Sequence, residues 1–380
     1  MLKKVRITNF LSCQATEIEF DNITALIGRN AAGKSNILKI LQWVSWFTLG
    51  AKKSWEYVIK EKDIDIEFLI NDKKFKYTLN MLPSLTDVLK ATETFSCYER
   101  NKWRKIAERT NSSAIYYYKE EIFKFNINQT LSIIKSIDIF FPKEKVDSSI
   151  NIIIDYLTAI NYYTLEDNDH KNRTGLVRAT EYREWLSEKN IIDSSVIMRL
   201  LHLWNEDKEL LNELQEILGK NSLDLIDEII ILDSTNISES HLNQENHFYA
   251  ITFNVKNAVV SYDQLSYGTR RVLILLLALL YDKNSTLLIE QPEDGIHTGL
   301  LHKLLPLCFE YAAVYNKQLI ITTHSSEAIN LFQPENIRLV KMTENGTKVS
   351  ALDKEQMPFI HDYLKNEGAL FDFIKSMNDE

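Results

Sequence analysis

The chain has 380 residues, a net charge of −9, and 45% hydrophobic and 26% charged residues. That length and apolar content suit one large or two modest globular domains, and the acidic balance excludes a protein whose whole surface binds nucleic acid. Only 10 glycines and 6 prolines occur, which argues against long flexible linkers; no uncharged run approaches the roughly 18 residues of a membrane span, and the charges within Met1 to Phe10 make a poor signal peptide.

The first block, residues 2 to 28, reads as strands: Val5-Arg6-Ile7-Thr8 alternates, Ile18-Glu19-Phe20 follows, and Ile23 to Ile27 is an apolar run. That run meets Gly28, and after Ser35 the residues Ile37, Leu38, Ile40, Leu41 and Val44 share one apolar helix face. Asp63 to Ile70 and Lys74 to Met81 alternate around Asn71-Asp72, a hairpin signal. From 86 to 230 the spacing predicts mostly helix, with Trp185, Trp204 and Glu209 to Leu218 in register and a polar loop at Glu166 to Gly175. Phe248 to Val255 then reads as a strand and Thr269 to Tyr281 as a strongly apolar helix. Thr286 to Glu290 and Leu319 to Thr323 are short buried strands on either side of a helix, Leu300 to Tyr315. Ile337 to Lys341 and Thr347 to Leu352 close the pattern as a hairpin. The expected architecture is therefore an α/β domain made from residues 1–85 and 245–380, interrupted by a mainly helical insertion at 86–244.

Gly28-Arg29-Asn30-Ala31-Ala32-Gly33-Lys34-Ser35 carries the strongest chemical signal. A strand, a glycine loop and a helix in that order aim backbone N–H groups and a helix dipole at one anion. Glycine permits the turns, Lys34 supplies a point charge for β- and γ-phosphates, and the Ser35 hydroxyl suits Mg²⁺. Leu287-Leu288-Ile289-Glu290-Gln291-Pro292-Glu293 is an apolar strand ending in a carboxylate, as a second Mg²⁺ contact requires. His324, after the strand Leu319 to Thr323, reads either as a satisfied structural histidine or as a γ-phosphate sensor. Leu265-Ser266-Tyr267-Gly268 reads either as a plain helix N-cap or as a second phosphate contact. The cluster Arg100, Lys102, Arg104, Lys105 and Arg109 reads as a solvated helix face, with a local nucleic-acid patch as the alternative.

Taken together, these motifs resemble the ABC-type ATPase heads of the RecF, SMC and OLD proteins. More narrowly, they resemble compact bacterial AAA-family ATP-binding proteins common in anti-phage defence. The resemblance covers residues 1–85 and 245–355. It implies a P-loop NTPase fold with ATP and Mg²⁺ as cofactors. Gly28 to Asn36 stands for Walker A, Leu265 to Gly268 for the ABC signature (with Tyr267 where many members have glycine), and Leu287 to Gln291 for Walker B. Glu293 to His297 stands for the D-loop and His324 for the switch histidine. Ser35 and Glu290 would hold the metal, and Gln291, Glu290, His324 and Glu293 are the catalytic candidates. Glu290 replaces a common aspartate, and Gln291 replaces the usual catalytic glutamate. A neutral amide cannot act as a general base, so slow or gated hydrolysis is expected.

The resemblance further implies a homodimer, or a higher oligomer, in which ATP is sandwiched between Walker A of one copy and the signature of the other. The stretch after His324 is too short for the nuclease domain of OLD proteins, so no nuclease is expected in this chain; His170, His202, His241 and His247 show no metal-ligand or nuclease spacing. The leading expectation is a sensor or scaffold for defence that works with a separately encoded nuclease or toxin. The alternatives are a RecF- or SMC-like ATPase that clamps DNA and a nonhydrolysing ATP-gated binding module. Cys13, Cys97 and Cys308 are widely spaced and odd in number, which suits a reducing cytoplasm with no disulfide framework or metal cluster.

Overall fold

A computed structural model describes residues 1–48, 50, 61–82, 90–128, 131–165, 174–188, 195–234, 247–282 and 285–377. Residues 166–173 of the expected polar loop lie outside these. The chain forms two compact units. The first comprises Met1–Tyr162, Asn284–Gln291 and Asn316–Glu380, and the second Tyr163–Lys283 and Pro292–Tyr315.

The chain opens with β1 (Leu2–Phe10), β2 (Cys13–Glu19) and β3 (Ile23–Ile27), followed by α1 (Lys34–Thr48). Six antiparallel strands come next: β4 (Lys62–Ile70), β5 (Lys73–Leu82), β6 (Lys90–Glu99), β7 (Lys102–Thr110), β8 (Ser113–Tyr118) and β9 (Glu121–Asn126). Helices α2 (Ile133–Phe140) and α3 (Ser148–Thr158) then lead to β10 (Ile160–Tyr163). The expectation of helix from residue 86 onward is thus corrected over 90–126, where four strands stand instead. The basic stretch lies on β7 and in the turn that precedes it, not on a helix. Arg104 pairs there with Glu99 at 2.9 Å and Lys105 with Glu108 at 2.5 Å, while Arg109 is buried. The β4–β5 hairpin forms at Asn71-Asp72, both with positive φ (49° and 60°), as the twist of a two-residue turn demands.

The second unit contains β11 (Leu176–Arg178), α4 (Ala179–Glu188), α5 (Val196–Glu206), α6 (Lys208–Leu218), β12 (Glu228–Asp233), β13 (Phe248–Val255), β14 (Ala258–Val260) and α7 (Tyr267–Leu280). Here the helical spacing around Trp185, Trp204 and Glu209 to Leu218 is realised in α4, α5 and α6. A small antiparallel sheet, β11-β13-β12 with β14 on β13, accompanies them. Arg199 on α5 pairs with Asp282 at 3.3 Å, which also accepts the Tyr163 hydroxyl.

The remaining elements are β15 (Thr286–Glu290), α8 (Thr298–Val314) in the second unit, β16 (Gln318–Thr323), α9 (Ser326–Ile329), β17 (Ile337–Thr343), β18 (Gly346–Ala351), α10 (Met357–Asn366) and α11 (Leu370–Ser376). Two sheets build the first unit. One has eight strands in the order β2-β1-β4-β5-β6-β7-β8-β9; the other has six in the order β10-β15-β16-β3-β17-β18. In the second, β15, β16, β3 and β17 run parallel. Every residue of β16 is buried, and such short two-sided burial explains why these strands read as uninterrupted apolar runs.

Helix α1 is buried over more than the single face its sequence suggested: Ile37, Leu38, Ile40, Leu41, Trp43, Val44 and Phe47 are all inside. Trp43 meets Phe10 of β1 at 5.7 Å between ring centres and stacks on Phe47 at 5.5 Å. Each such side chain contributes on the order of 1.5–3 kcal/mol by leaving water. The helix that carries the glycine loop at its start is therefore fixed by the core.

Candidate functional site

Parallel strands place their carboxyl ends on one edge of the sheet, where α/β folds assemble ligand sites. Three of the motifs end there. Thr323 of β16 pairs with Ile27 of β3, and Glu290 of β15 pairs with Thr322 of β16. The glycine loop after β3, Glu290 at the end of β15 with Gln291 after it, and His324 after β16 consequently converge within the first unit.

Glycine is required twice in the loop. A Cβ on Gly28 would lie 2.1 Å from the carbonyl oxygen of Val340 on β17; one on Gly33 (φ +104°) would lie 2.0 Å from the Thr347 hydroxyl. Ala31 also adopts positive φ (62°). Alternation of this kind turns successive N–H groups toward one concavity, the backbone nest that binds anions. Ser12, in the β1–β2 turn, and Thr347 of β18 brace the loop from outside. The Thr347 hydroxyl donates to the Ala32 carbonyl at 3.1 Å and shares a hydrogen bond with Ser12 Oγ at 2.7 Å, and Asn36 Nδ2 donates to Ser12 Oγ at 2.7 Å. The Thr347 brace was not legible in the sequence, since it lies 315 residues from Ala32.

Lys34 is 5% exposed, and its ammonium donates to the carbonyls of Gly28 at 2.7 Å and Arg29 at 3.0 Å. The cation is thus held over the loop by neutral acceptors, which suits it to a phosphate. The Ser35 hydroxyl donates to Glu290 Oε1, and the Tyr162 hydroxyl of β10 donates to Glu290 Oε2. Tyr162 is a member of the site that the sequence did not announce. A hydroxyl and a carboxylate facing each other are hard oxygen donors, and Mg²⁺ bound with a nucleotide commonly takes only one or two protein oxygens beside phosphate and water. Ser35 and Glu290 fit that ion.

Gln291 adopts positive φ (46°), uncommon for a residue with a side chain, and is held there by its N–H donating to the Thr322 carbonyl at 3.0 Å. Its amide Nε2 lies 3.2 Å from His324 Nδ1. Two of the catalytic candidates, from the ends of neighbouring strands, are therefore in direct contact.

The remaining candidates belong to the second unit. Ser266 is the N-cap of α7, its hydroxyl accepting the Thr269 N–H at 3.1 Å, and Leu265 is buried before it. Tyr267 is 47% exposed and lies under the loop that follows Glu293: a Cβ on Gly295 would come within 2.4 Å of the Tyr267 ring, and one on Gly268 within 2.6 Å of the Gly295 carbonyl. The aromatic ring in place of glycine is accommodated because Gly295 (φ +67°) has no side chain. Arg271, one turn on, donates to the Tyr267 hydroxyl at 3.0 Å. The signature-like and D-loop-like segments are thus packed together.

A family model described as "AAA domain, putative AbiEii toxin, Type IV TA system" matches residues 23–330. The chain belongs to this family. No curated protein matches the chain. Among solved structures, the Smc head bound to the C-winged-helix domain of ScpA aligns with a TM-score of 0.52 and 14% identity, over 93% of this chain and 99% of that one. The SMC head domain from Thermotoga maritima aligns at 0.45 and 12%, over 93% and 99%. The Smc head with an extended coiled coil bound to the C-terminal domain of ScpA derived from Pyrococcus furiosus aligns at 0.41 and 12%, over 96% and 99%. The match at 0.52 is one of fold: this AAA-family chain has the α/β architecture of an ABC-type ATPase head. No helix of the described residues is long and apolar enough to cross a membrane.

Proposed function

We propose that the chain binds ATP with Mg²⁺ at the Gly28–Ser35 loop and hydrolyses it slowly. The observation that carries this reading is the meeting of Ser35 with Glu290, next in sequence to a buried Lys34 whose ammonium is held by the loop carbonyls. In it, the loop N–H groups and Lys34 hold the phosphates, and Ser35 and Glu290 hold the ion. Mg²⁺ would supply charge neutralisation at the phosphates. Gln291 and His324 would orient the attacking water, but the amide of Gln291 accepts no proton, so the site would favour holding ATP over cleaving it. Leu265 to Gly268 with Glu293 to His297 would form the face that receives the nucleotide of a second copy.

Lys34→Ala is expected to weaken ATP binding by about 2–5 kcal/mol, on the order of 30-fold or more, because it removes a buried charge from an anion site. Light scattering with ATP and Mg²⁺ should then show a doubled mass for the unsubstituted chain and a monomer for Lys34→Ala. Unchanged affinity in the variant, or a persistent monomer in both, would overturn the sandwich reading.

The toxin–antitoxin description of the family agrees with a place in bacterial defence, and within it the chain would act as a sensor or scaffold for a separately encoded effector. The product of an adjacent gene should co-purify with the chain in an ATP-dependent manner; DNA-stimulated turnover with a steep salt dependence and no such partner would instead favour a DNA clamp.

A further inference from the structure

We infer that Tyr162 is a positioning residue for Glu290, and that it is what allows a glutamate to work at the end of β15. The inference rests on the reading of Glu290 as the carboxylate that serves the nucleotide-bound Mg²⁺.

Glutamate has one more rotatable bond than aspartate, so its carboxylate must be restrained to present one fixed oxygen. Here the two oxygens are divided. Oε1 accepts from Ser35 and Oε2 accepts from Tyr162, so the carboxylate is gripped from the loop side and from the sheet side. Hydrogen bonds to a carboxylate are about twice as strong as neutral ones. With Oε2 held by the phenol, Oε1 remains the oxygen directed at Ser35, the other residue that would meet the ion.

Tyr162 is itself held by the helix that follows the glycine loop. Its backbone N–H donates to Gln42 Oε1 at 2.8 Å, and Gln42 Nε2 reaches the Ile160 carbonyl at 3.5 Å. Gln42 lies seven residues after Ser35 on α1, two turns along the same face. One helix face therefore fixes both Ser35, which meets Glu290, and β10, which carries Tyr162. Strand β10 is also the immediate neighbour of β15. Ser35, Glu290, Tyr162 and Gln42 close a ring through α1, so the carboxylate position is tied to the loop that holds the phosphates. Aspartate at 290, one methylene shorter, would have to release one of the two hydroxyls.

The test is equilibrium binding of a fluorescent ATP analogue titrated with Mg²⁺, with a second series in EDTA. Tyr162→Phe removes only the hydroxyl. It is expected to raise the half-saturating Mg²⁺ concentration about tenfold, the lower end for loss of a group that orients a metal ligand, and to leave affinity in EDTA unchanged. In the Glu290→Asp background the same substitution should change the Mg²⁺ requirement less than about threefold, because coupled groups are non-additive. An unaltered Mg²⁺ requirement in Tyr162→Phe, equal losses with and without Mg²⁺, or full additivity with Glu290→Asp would each overturn the assignment. Failure of the underlying reading looks different: the unsubstituted chain would then bind the analogue identically with Mg²⁺ and EDTA, or not at all.

Discussion

Gln291→Glu is expected to raise steady-state ATP turnover by about 10²–10⁴-fold, the usual span for gaining a general base. The position is set by the backbone rather than by the side chain: φ of +46° and the N–H bond to Thr322 turn residue 291 away from the strand direction and toward His324. Glutamate has the same length and accepts that conformation as readily as glutamine. The electronic change is larger. The glutamine amide nitrogen lies 3.2 Å from His324 Nδ1, where it can only donate. A carboxylate in its place can only accept, so His324 must present Nδ1–H instead. The variant thus gains a proton acceptor and reverses the direction of its contact with His324 in one step. Phosphate release measured side by side decides the matter. Equal rates for the two proteins would overturn the proposal that Gln291 slows turnover and move the catalytic role to another residue, such as Glu293.

The residues of the glycine loop and the strands β3, β13, β15 and β16 were legible because their signals are local. Each strand is a short buried or alternating run, and the loop adjoins its strand and helix without interruption. The stretch 90–126 was not legible, and the reasons are visible in its side chains. Alternation on β6 places Ala91, Glu93, Phe95 and Cys97 inward, so a carboxylate interrupts the apolar face. On β7 the inward set includes Arg109. The turns add to the disguise. Arg100 and Asn101, Asn111 and Lys119 carry the positive φ values that tight turns need, where glycine would have marked the hairpins. With Lys, Arg and Glu throughout, the text reads as helix.

Much of the site was hidden for a different reason. Tyr162 and Glu290 are 128 residues apart, and Thr347 braces Ala32 from 315 residues away. A motif names the residues that touch a phosphate but not those that hold them, because the latter are chosen by the sheet order β10-β15-β16-β3-β17-β18. Ser266 is instructive in the other direction. Its plain N-cap bond is present, and the same geometry leaves neighbouring N–H groups at the start of α7, so the bland and the functional readings describe compatible properties of one residue.

The charges that concealed the β6–β7 hairpin also set its stability. Arg109→Ala is expected to lower the free energy of unfolding by about 3–5 kcal/mol, the cost of leaving a buried charge without its partner. Both side chains are fully inaccessible, with Arg109 Nη1 2.6 Å from Glu93 Oε1. Glu93 Oε2 also accepts from the Tyr77 hydroxyl at 2.6 Å and the Ile133 N–H at 3.0 Å, and Arg109 donates to the carbonyls of Asn111 at 2.7 Å and Leu131 at 2.5 Å. Burial pushes the Glu93 carboxyl above its ordinary range, and the Arg109 charge opposes that rise. A folded-state value above the unfolded one means that the native chain holds the proton more tightly, so the contribution of Glu93 to stability falls as pH rises through that window. Removing Arg109 takes away the opposing charge and widens the window. The deficit of Arg109→Ala should therefore be largest near neutral pH and shrink as pH falls toward the ordinary carboxylate range, where Glu93 can be buried as the neutral acid. Denaturant unfolding of both proteins at pH 7.5 and pH 5 measures this directly. A deficit that grew on acidification, or one under about 1 kcal/mol at neutral pH as for a surface pair, would show that the hairpin does not depend on this pair.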